Sequence, residues 1–325
     1  MNDLRFALRQ LRYAPAFTVT ALATIAICLG ANLAIFAVID AILLRSLPFP
    51  QSDRLVAIFN TYPKAGVERD GSSLTNYYER RGNIPSFSSL SIFRYATEVV
   101  GETGSTQQEK VLRISPDFFT TLGTGPVMGR SFDEAETITP IENHGAAILT
   151  DAYWRQRLNS DPQVLGREIR VNGAPRKIVG VLPPDFRFLS SEARIFLPFT
   201  SRLQQRTPQQ RHSGGGGTHM IARLKPGVTI AEAQSQIDAH NAGVEKDNSR
   251  ATMMAEAGFR SPVLPLQADH VRSIRPALLL MQGGALFLLV MGAVNLVNLL
   301  LIRASSHMKD MAIRRSLGAS RRHVV

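Results

Sequence analysis

The stretch ALLLMQGGALFLLVMGAVNLVNLLLI, residues 277–302, runs for 26 residues without a formal charge. A helix needs about 20 apolar residues to cross a hydrocarbon core of about 30 Å. The alternative is a buried core helix of a soluble domain, and the length of the uncharged run disfavours it. The stretch therefore predicts a transmembrane helix over residues 276–302.

A second apolar run covers residues 17–44 and contains one formal charge, Asp40. It is long enough to cross a bilayer with some tilt. A cleaved signal peptide is the alternative, because Arg5, Arg9 and Arg12 precede the run. Signal peptides have shorter apolar regions, of about 7–15 residues, so we predict a first transmembrane helix at 17–44.

Basic residues are concentrated just outside these two runs. Residues 1–16 carry three arginines and residues 303–325 carry six basic residues, whereas the long middle, 45–275, is close to balanced. The positive-inside rule then places both termini in the cytoplasm and residues 45–275 on the outer side. The net charge of +11 is thereby explained by topology. Nucleic-acid binding is the competing interpretation, and no basic-aromatic module supports it, so no nucleic-acid partner is expected.

The middle segment alternates strand-like and helical patterns. Residues 166–186 indicate a hairpin with its turn at Asn172-Gly173. Ser115 and Gly123 are typical caps of a short helix between them, and an Asp-Pro pair should stop a helix over 150–162. These patterns predict an α+β extracytoplasmic domain, 45–275, inserted between two transmembrane helices, with two lobes dividing near 204–217. The single cysteine of the chain, Cys28, lies in the first span, so the domain has no disulfides.

The first sixteen residues space their apolar side chains as a helix would, with arginines off that face. This favours an interfacial helix at 1–16 over a solvated basic leader.

Two sets of residues in the spans indicate helix packing. Ala26, Gly30 and Ala34 recur every four residues, a spacing of small side chains that lets another helix approach closely. Asn295 and Asn298 lie three residues apart in the second span, and their amides favour hydrogen bonds to another helix over contact with lipid.

Two segments resemble functional motifs, but each lacks residues that the motif requires. GTGPVMGRS, residues 123–131, lacks the glycine spacing and the lysine of a phosphate-binding loop, so we interpret it as a turn. His212 and His219 flank a glycine-rich run without further ligands nearby, which indicates a mobile loop and no zinc site. We predict no enzymatic activity, no metal and no cofactor in this chain.

The order of several segments resembles permeases of the MacB/FtsX type, especially the stand-alone acidobacterial-type permeases that carry two such modules. Residues 3–49 resemble their amino-terminal span. ILTDAYWRQRLNSDPQVLGREIRVNGAPRKIVGVLPPDFRF and ARLKPGVTIAEAQSQID resemble the MacB-like periplasmic core domain. VNLVNLLLIRASSHMKDMAIRRSLGASRR resembles the second span and following helix of the FtsX-like permease domain.

The resemblance implies the permease subunit of an ABC-type efflux or mechanotransmission system in the bacterial inner membrane, with residues 45–275 in the periplasm. It implies a separate ABC ATPase that carries the ATP, a homodimer or paired permease module, a periplasmic partner and a surrounding lipid bilayer. Residues 303–325 would be the coupling segment. Its expected contact residues are Met311, Arg314, Arg315, Gly318, Arg321 and Arg322. Stop-transfer charges alone are the alternative explanation of these arginines.

The family's third and fourth spans are absent from this sequence. The chain is accordingly expected to be an amino-terminal fragment of a longer product or a truncated, non-functional copy. A membrane-anchored periplasmic scaffold or sensor without transport is the alternative function.

Overall fold

The computed structural model describes residues 15–102, 104–138, 145–201, 207–213, 216–246 and 249–316. Contacts divide the chain into two compact units, residues 46–270 and the two ends, 1–45 with 271–325. The domain bounds expected from the sequence, 45–275 among them, stay predictions. The interfacial helix predicted at 1–16 falls almost wholly outside the described residues.

Two long apolar helices belong to the unit formed by the chain ends. Helix α1, Pro15–Ile39, continues into a short π-helical segment. The helices between α1 and the last helix belong to the 46–270 unit, and the last of them, Leu266–Val271, ends one residue beyond it. The helices are α1 Pro15–Ile39 with the π-segment Asp40–Leu44, α2 Leu74–Arg80, α3 Phe118–Leu122, α4 Ala135–Ile138, α5 Asp151–Leu158, α6 Ile230–Glu245, α7 Ala251–Ala257, α8 Leu266–Val271 and α9 Arg275–Ser316.

In the described part of the chain, ten strands form one mixed sheet, and two form a separate hairpin, β2–β3. The strands are β1 Leu55–Ile58, β2 Asn60–Tyr62, β3 Val67–Asp70, β4 Phe87–Val100, β5 Gln107–Ile114, β6 Met128–Gly129, β7 Gly145–Leu149, β8 Glu168–Val171, β9 Ala174–Val181, β10 Ile195–Pro198, β11 Thr218–Leu224 and β12 Val263–Pro265. The order is β12-β1-β11-β4-β5-β10-β7-β9-β6, and β8 pairs with both β4 and β9.

The long strand β4 joins two halves of this sheet. Its first half pairs with β11 and its second half with β5. Six strands, β4, β5, β10, β7, β9 and β8, close into a ring, because Val100 of β4 pairs with Val171 of β8. The backbone N–H of Asn172 donates to Val99 O at 2.7 Å beside that closure. The lobe division predicted near 204–217 falls between β10 and β11 in sequence and partly outside the described residues, so it stays a prediction.

Three apolar clusters fill the domain. One lies inside the ring and contains Val111, Leu149, Ile178, Val181 and Ile195. One packs α2 and α6 against the other sheet half and contains Val56, Ile92, Ala222, Ala233 and Ile237. The third is rich in phenylalanine and contains Phe93, Phe118, Phe119, Phe188 and Phe196. Each buried phenylalanine contributes about 1.5–3 kcal/mol, so a core without disulfides is sufficient for a domain of this size.

Local chemistry fixes the ends of several elements. Thr229 and Glu232 form a reciprocal capping box at the start of α6. Asn172 and Gly173 both have positive φ, as the predicted two-residue hairpin turn requires. Arg223 donates to Thr121 O and Leu122 O, which satisfies carbonyls at the end of α3 with a cation.

Two predicted helix ends are wrong. Ser115 does not cap α3, because its Oγ instead accepts from the backbone N–H of Ile92 at 3.1 Å and thereby joins the loop to β4. Helix α5 ends at Leu158, before the Asp-Pro pair. Asn159 adopts a left-handed conformation there, and Trp154 Nε1 donates to Asp161 O at 2.9 Å, so the chain folds back on itself.

Candidate functional site: the membrane helix pair

Both predicted spans are helices long and apolar enough to cross a bilayer, Pro15–Leu44 and Arg275–Ser305. They run antiparallel, because Phe17 at the start of α1 lies under Arg303 and Asn32 reaches back to Ala285 of α9. The buried and half-buried positions of α9 recur at alternating steps of four and three. They are Leu278, Gln282, Ala285, Leu289, Gly292, Leu296, Leu299 and Arg303. This is the spacing of a coiled-coil seam.

Polar side chains hold the middle of this seam. Asn32 Nδ2 donates to Ala285 O at 2.8 Å and to Cys28 O at 3.0 Å. Cys28 Sγ lies 3.5 Å from Leu288 O. Interhelical hydrogen bonds in membranes contribute about 0.6 kcal/mol on average. These contacts therefore add little stability, and they fix the register of α1 against α9 in a largely apolar interface.

The helices approach closely at Gly292. A Cβ placed there would lie 2.4 Å from Cys28 Sγ and 3.5 Å from Thr24 Cγ2. The absence of a side chain at position 292 is therefore a condition of the observed approach, as small residues are at other membrane helix interfaces.

The residues predicted to mediate helix packing lie elsewhere. Ala26, Gly30 and Ala34 are exposed on α1, and a Cβ added to Gly30 would meet nothing within 4 Å. Asn295 and Asn298 are exposed on α9. None of the five belongs to the α1–α9 seam, and their predicted role toward a further helix stays a prediction.

The seam residues Asn32, Cys28 and Gly292 were missed by the sequence reasoning. The available signal was a repeat of small and polar residues at steps of three and four along α1, with Thr24, Cys28 and Asn32 on one face. The stripe of small residues lies on the opposite face and was the more conspicuous pattern.

The second membrane helix extends beyond the predicted span. Helix α9 continues without a break from Arg275 to Ser316, so the span and the beginning of segment 303–325 form one helix. Met311, Arg314 and Arg315 lie in its described backbone. Gly318, Arg321 and Arg322 fall outside the described residues, so the predicted helix stop at Gly318 stays a prediction.

In the 46–270 unit, the histidine prediction needs a correction. His212 is not part of a mobile loop, because its ring is buried, with Tyr62 Oη 3.0 Å from Nδ1 and Glu245 Oε1 2.8 Å from Nε2. His219 lies in β11 and stacks on Phe93 with ring centroids 5.0 Å apart. Among the described residues, no three His, Cys, Asp or Glu side chains cluster as metal ligands.

Burial lowers the pKa of three histidines in this unit, His219, His240 and His270. Arg69 adds to the effect at His219, and Arg80 at His240. Arg80 is itself fully buried and bonds to Asn241 Oδ1 at 3.1 Å and Ser261 Oγ at 2.7 Å. Desolvation lowers the pKa of Arg80 to about 10, which leaves it charged at neutral pH.

The segment 123–131 is more ordered than a turn. Met128 and Gly129 form the edge strand β6 against β9. Gly129 has φ +79°, and a Cβ there would lie 2.0 Å from Val179 O. The glycine is thus required by close strand contact, which is a structural role unrelated to phosphate binding.

A groove of about 550 Å³ lies over β4 and β5. Tyr95, Thr97, Lys110, Ser190 and Glu192 are among its lining residues. Tyr95 is exposed in this groove, and a tyrosine hydroxyl is a neutral hydrogen-bond donor at neutral pH. The lining combines one cation, one carboxylate and several hydroxyls, a polar composition that carries no catalytic arrangement.

Comparison with known proteins agrees with this architecture. A family model described as MacB-like periplasmic core domain matches residues 18–240. The macrolide export ATP-binding/permease protein MacB of Bartonella henselae is 24% identical over 283 residues, which cover 85% of this chain and 37% of that protein. MacB 2 of Aeromonas hydrophila is 22% identical over 254 residues, 78% of this chain and 36% of that protein. The chain thus spans little more than a third of the length of these relatives.

A solved structure shares the fold. A domain of a putative permease protein from Porphyromonas gingivalis superimposes with a TM-score of 0.50 and 18% sequence identity. The likeness covers 67% of this chain and 93% of that domain.

Proposed function

Because this chain belongs to the family with a MacB-like periplasmic core domain, we propose that it is the membrane permease part of an ABC-type efflux or mechanotransmission system. The family match supports a permease-type role. The finer proposal is that an ATPase moves the cytoplasmic end of α9 and that this motion reaches the periplasmic domain. Export of macrolides, the activity in the names of the relatives, is the first transport activity to assay with that ATPase present.

The continuity of helix α9 is the observation that carries the mechanical part of the proposal. Its 42 residues rise about 63 Å, more than the thickness of a bilayer with its headgroups. An unbroken helix of this length transmits displacement or rotation along its axis, because its backbone hydrogen bonds leave no hinge. Arg314 and Arg315 lie on the part that extends beyond the span.

We place both termini in the cytoplasm of a bacterial inner membrane and residues 45–275 in the periplasm. The basic flanks at 1–16 and 303–325 support this orientation. A periplasmic partner would then meet the 45–275 domain, and the ATPase with its ATP would meet segment 303–325.

We further propose that a second permease module, a copy of this chain or a paired one, covers the exposed polar and small faces of the spans. Asn295 and Asn298 support this, because amides exposed to hydrocarbon lack hydrogen-bond partners. The exposed stripe at Ala26, Gly30 and Ala34 gives a second surface on which a helix can pack closely.

The coupling role is tested by charge reversal, Arg314→Glu with Arg315→Glu, in the full chain. Co-purification from membranes, followed by mass spectrometry, measures the recovery of an ABC ATPase. We expect the ATPase to be lost while membrane insertion persists. The matched control is Arg155→Glu with Arg170→Glu, two exposed arginines of the 46–270 unit, which should leave recovery unchanged.

Equal recovery of the ATPase with both variants would reject the coupling role and leave the basic residues as stop-transfer charges. Full biological activity in a strain that lacks the ATPase would instead support the alternative, a periplasmic scaffold or sensor.

A further inference from the structure

Helix α8, Leu266–Val271, is the last element of the chain before membrane helix α9. Only residues 272–274 separate the two helices, and the backbone N–H of Ile274 donates to Val271 O at 3.2 Å across them. The link is therefore a short hydrogen-bonded turn. Along the chain, α8 is the first element that a displacement of α9 would reach.

An ion pair holds α8 to the hairpin β2–β3. Arg69 of β3 donates to both carboxylate oxygens of Asp269, from Nη2 to Oδ2 at 2.9 Å and from Nη1 to Oδ1. The Asp269 side chain is 10% exposed, and the Arg69 Cζ lies 4.0 Å from the ring centroid of Phe59, which is buried. A two-pronged bond of this kind, with an aromatic ring under the cation, is stronger and more directional than a single exposed ion pair.

The next residue of α8 contacts a different part of the domain. Ser190 Oγ lies 3.1 Å from His270 Nε2, which is hydrogen-bond distance. Ser190 directly follows Leu189, whose φ of +53° is a left-handed conformation that leucine rarely adopts. The backbone N–H of Ser191 donates to Phe188 O at 2.9 Å and closes this turn. Strained backbone persists where the surrounding structure requires it, and here it sets the position of Ser190.

The two contacts connect α8 to separate halves of the main sheet. Hairpin β2–β3 directly follows β1, whereas the turn at 188–191 precedes β10 of the ring. Leu266, at the start of α8, is buried in the phenylalanine-rich cluster. A helix of six residues is thus held by three different parts of the 46–270 unit.

We propose, on the basis of the ATPase-driven motion of α9 proposed above, that the two contacts fasten α8 so that this motion moves the domain instead of bending the link at 272–274. An α8 without its contacts would absorb the displacement by opening locally, because weakly held elements open at low cost in free energy. The positioning residues are Arg69, Asp269, Ser190 and His270.

The first measurement needs no ATPase. Hydrogen exchange of the full chain in detergent micelles, read by mass spectrometry, reports the opening of peptide 266–274. We expect Asp269→Asn to speed this exchange by about threefold or more, because a charge that holds α8 is lost. Ser190→Ala should have a smaller effect in the same direction. The matched control is Asp151→Asn, which breaks the comparably buried Asp151–Arg155 pair of α5 and should leave this peptide unchanged.

The second measurement uses the chain in complex with the ABC ATPase recovered with it from membranes. In the parent complex, ATP should change the exchange of two domain segments, 60–70 and 186–194. In Asp269→Asn this response should be largely lost while ATP hydrolysis continues, because the motion no longer reaches the domain. Arg69→Asp combined with Asp269→Arg should recover part of the response, because it restores an ion pair. Asp151→Asn should respond as the parent does.

The outcomes distinguish this anchoring role from the proposed function. If no ATPase is recovered, or if ATP changes nothing in the parent complex, the proposed function is rejected and the anchoring role with it. If the parent and Asp269→Asn respond equally to ATP, the anchoring role alone is overturned. Parent-like exchange of 266–274 in Asp269→Asn overturns it as well. If Asp269→Asn does not fold, Arg69→Lys takes its place, because it keeps the charge and loses the two-pronged bond.

Discussion

Replacing Gly292 with cysteine should create a disulfide across the membrane helix pair. A Cβ at position 292 would lie 3.5 Å from Cys28 Cβ, and disulfides have Cβ–Cβ distances of about 3.5–4.5 Å. The same Cβ would lie only 2.4 Å from Cys28 Sγ, so the two thiols must rotate, and bond formation relieves this crowding. Cys28 is the single cysteine of the chain, so no other intramolecular pairing competes.

The magnitude follows from the chain between the two positions. In the chain-entropy model, closing a loop of more than 200 residues stabilises the folded state by about 5 kcal/mol. Oxidised Gly292→Cys should therefore unfold at a clearly higher denaturant concentration than the reduced form. After mild oxidation in micelles, maleimide labelling should find few free thiols, and mass spectrometry should recover linked peptides that contain residues 28 and 292.

Gly283→Cys is the matched control, because a Cβ at position 283 would meet nothing within 4 Å. Its thiols should stay open to maleimide in the monomeric chain. Equal labelling of both variants after oxidation would refute the α1–α9 register, and so would a Gly292→Cys product that is only intermolecular.

Three further results are expected. Asn32→Leu should destabilise the helix pair in detergent-driven unfolding by about 0.6–1.7 kcal/mol. Gln282→Leu should cost less, because Gln282 loses only the long 3.5 Å bond from its Nε2 to Asn32 Oδ1 and its Oε1 has no partner among the described residues. Gly129→Ala should lower the free energy of unfolding by more than 2 kcal/mol in chemical denaturation. Gly166→Ala should cost about 1 kcal/mol, because both glycines have positive φ but only the first would collide with a carbonyl of β9. Finally, the three histidines with lowered pKa bind protons more readily in the unfolded chain. The unfolding temperature should therefore hold above about pH 6.5 and fall as the pH drops toward 5, and substitution of these histidines by glutamine should flatten that decline.

The membrane helices and many domain elements could be predicted because their signals are local. The uncharged run at 277–302 and the Asn172-Gly173 turn each depend on neighbouring residues alone, and the structure has both elements. Ser115 shows where local reasoning fails. A serine before a short helix is a good cap in isolation. Here the Ser115 hydroxyl oxygen instead accepts a hydrogen bond from the backbone N–H of Ile92 in β4. The competing donor is distant in sequence, so no local pattern reveals it.

The same limit applies to the helix pair. A stripe such as Ala26, Gly30 and Ala34 indicates that a face can pack, and the identity of the partner decides which face does. The seam instead uses Cys28 and Asn32, because α9 presents Gly292 and the backbone carbonyls of Ala285 and Leu288 opposite them. Periodicity along one helix carries no information about its neighbour.

The closed six-stranded ring has a consequence for the order in which the domain folds. Its strands come from one continuous stretch, 87–198, so the ring can assemble while later residues are still being delivered across the membrane. The other half of the sheet joins β1, near residue 55, to β11 and β12, which lie more than 150 residues later. That half can form only after almost the whole domain has been synthesised, and β1 stays unpaired until then. Mutations in β11 or β12 should therefore trap a species that has a native ring and an open amino-terminal edge, exposed to periplasmic proteases.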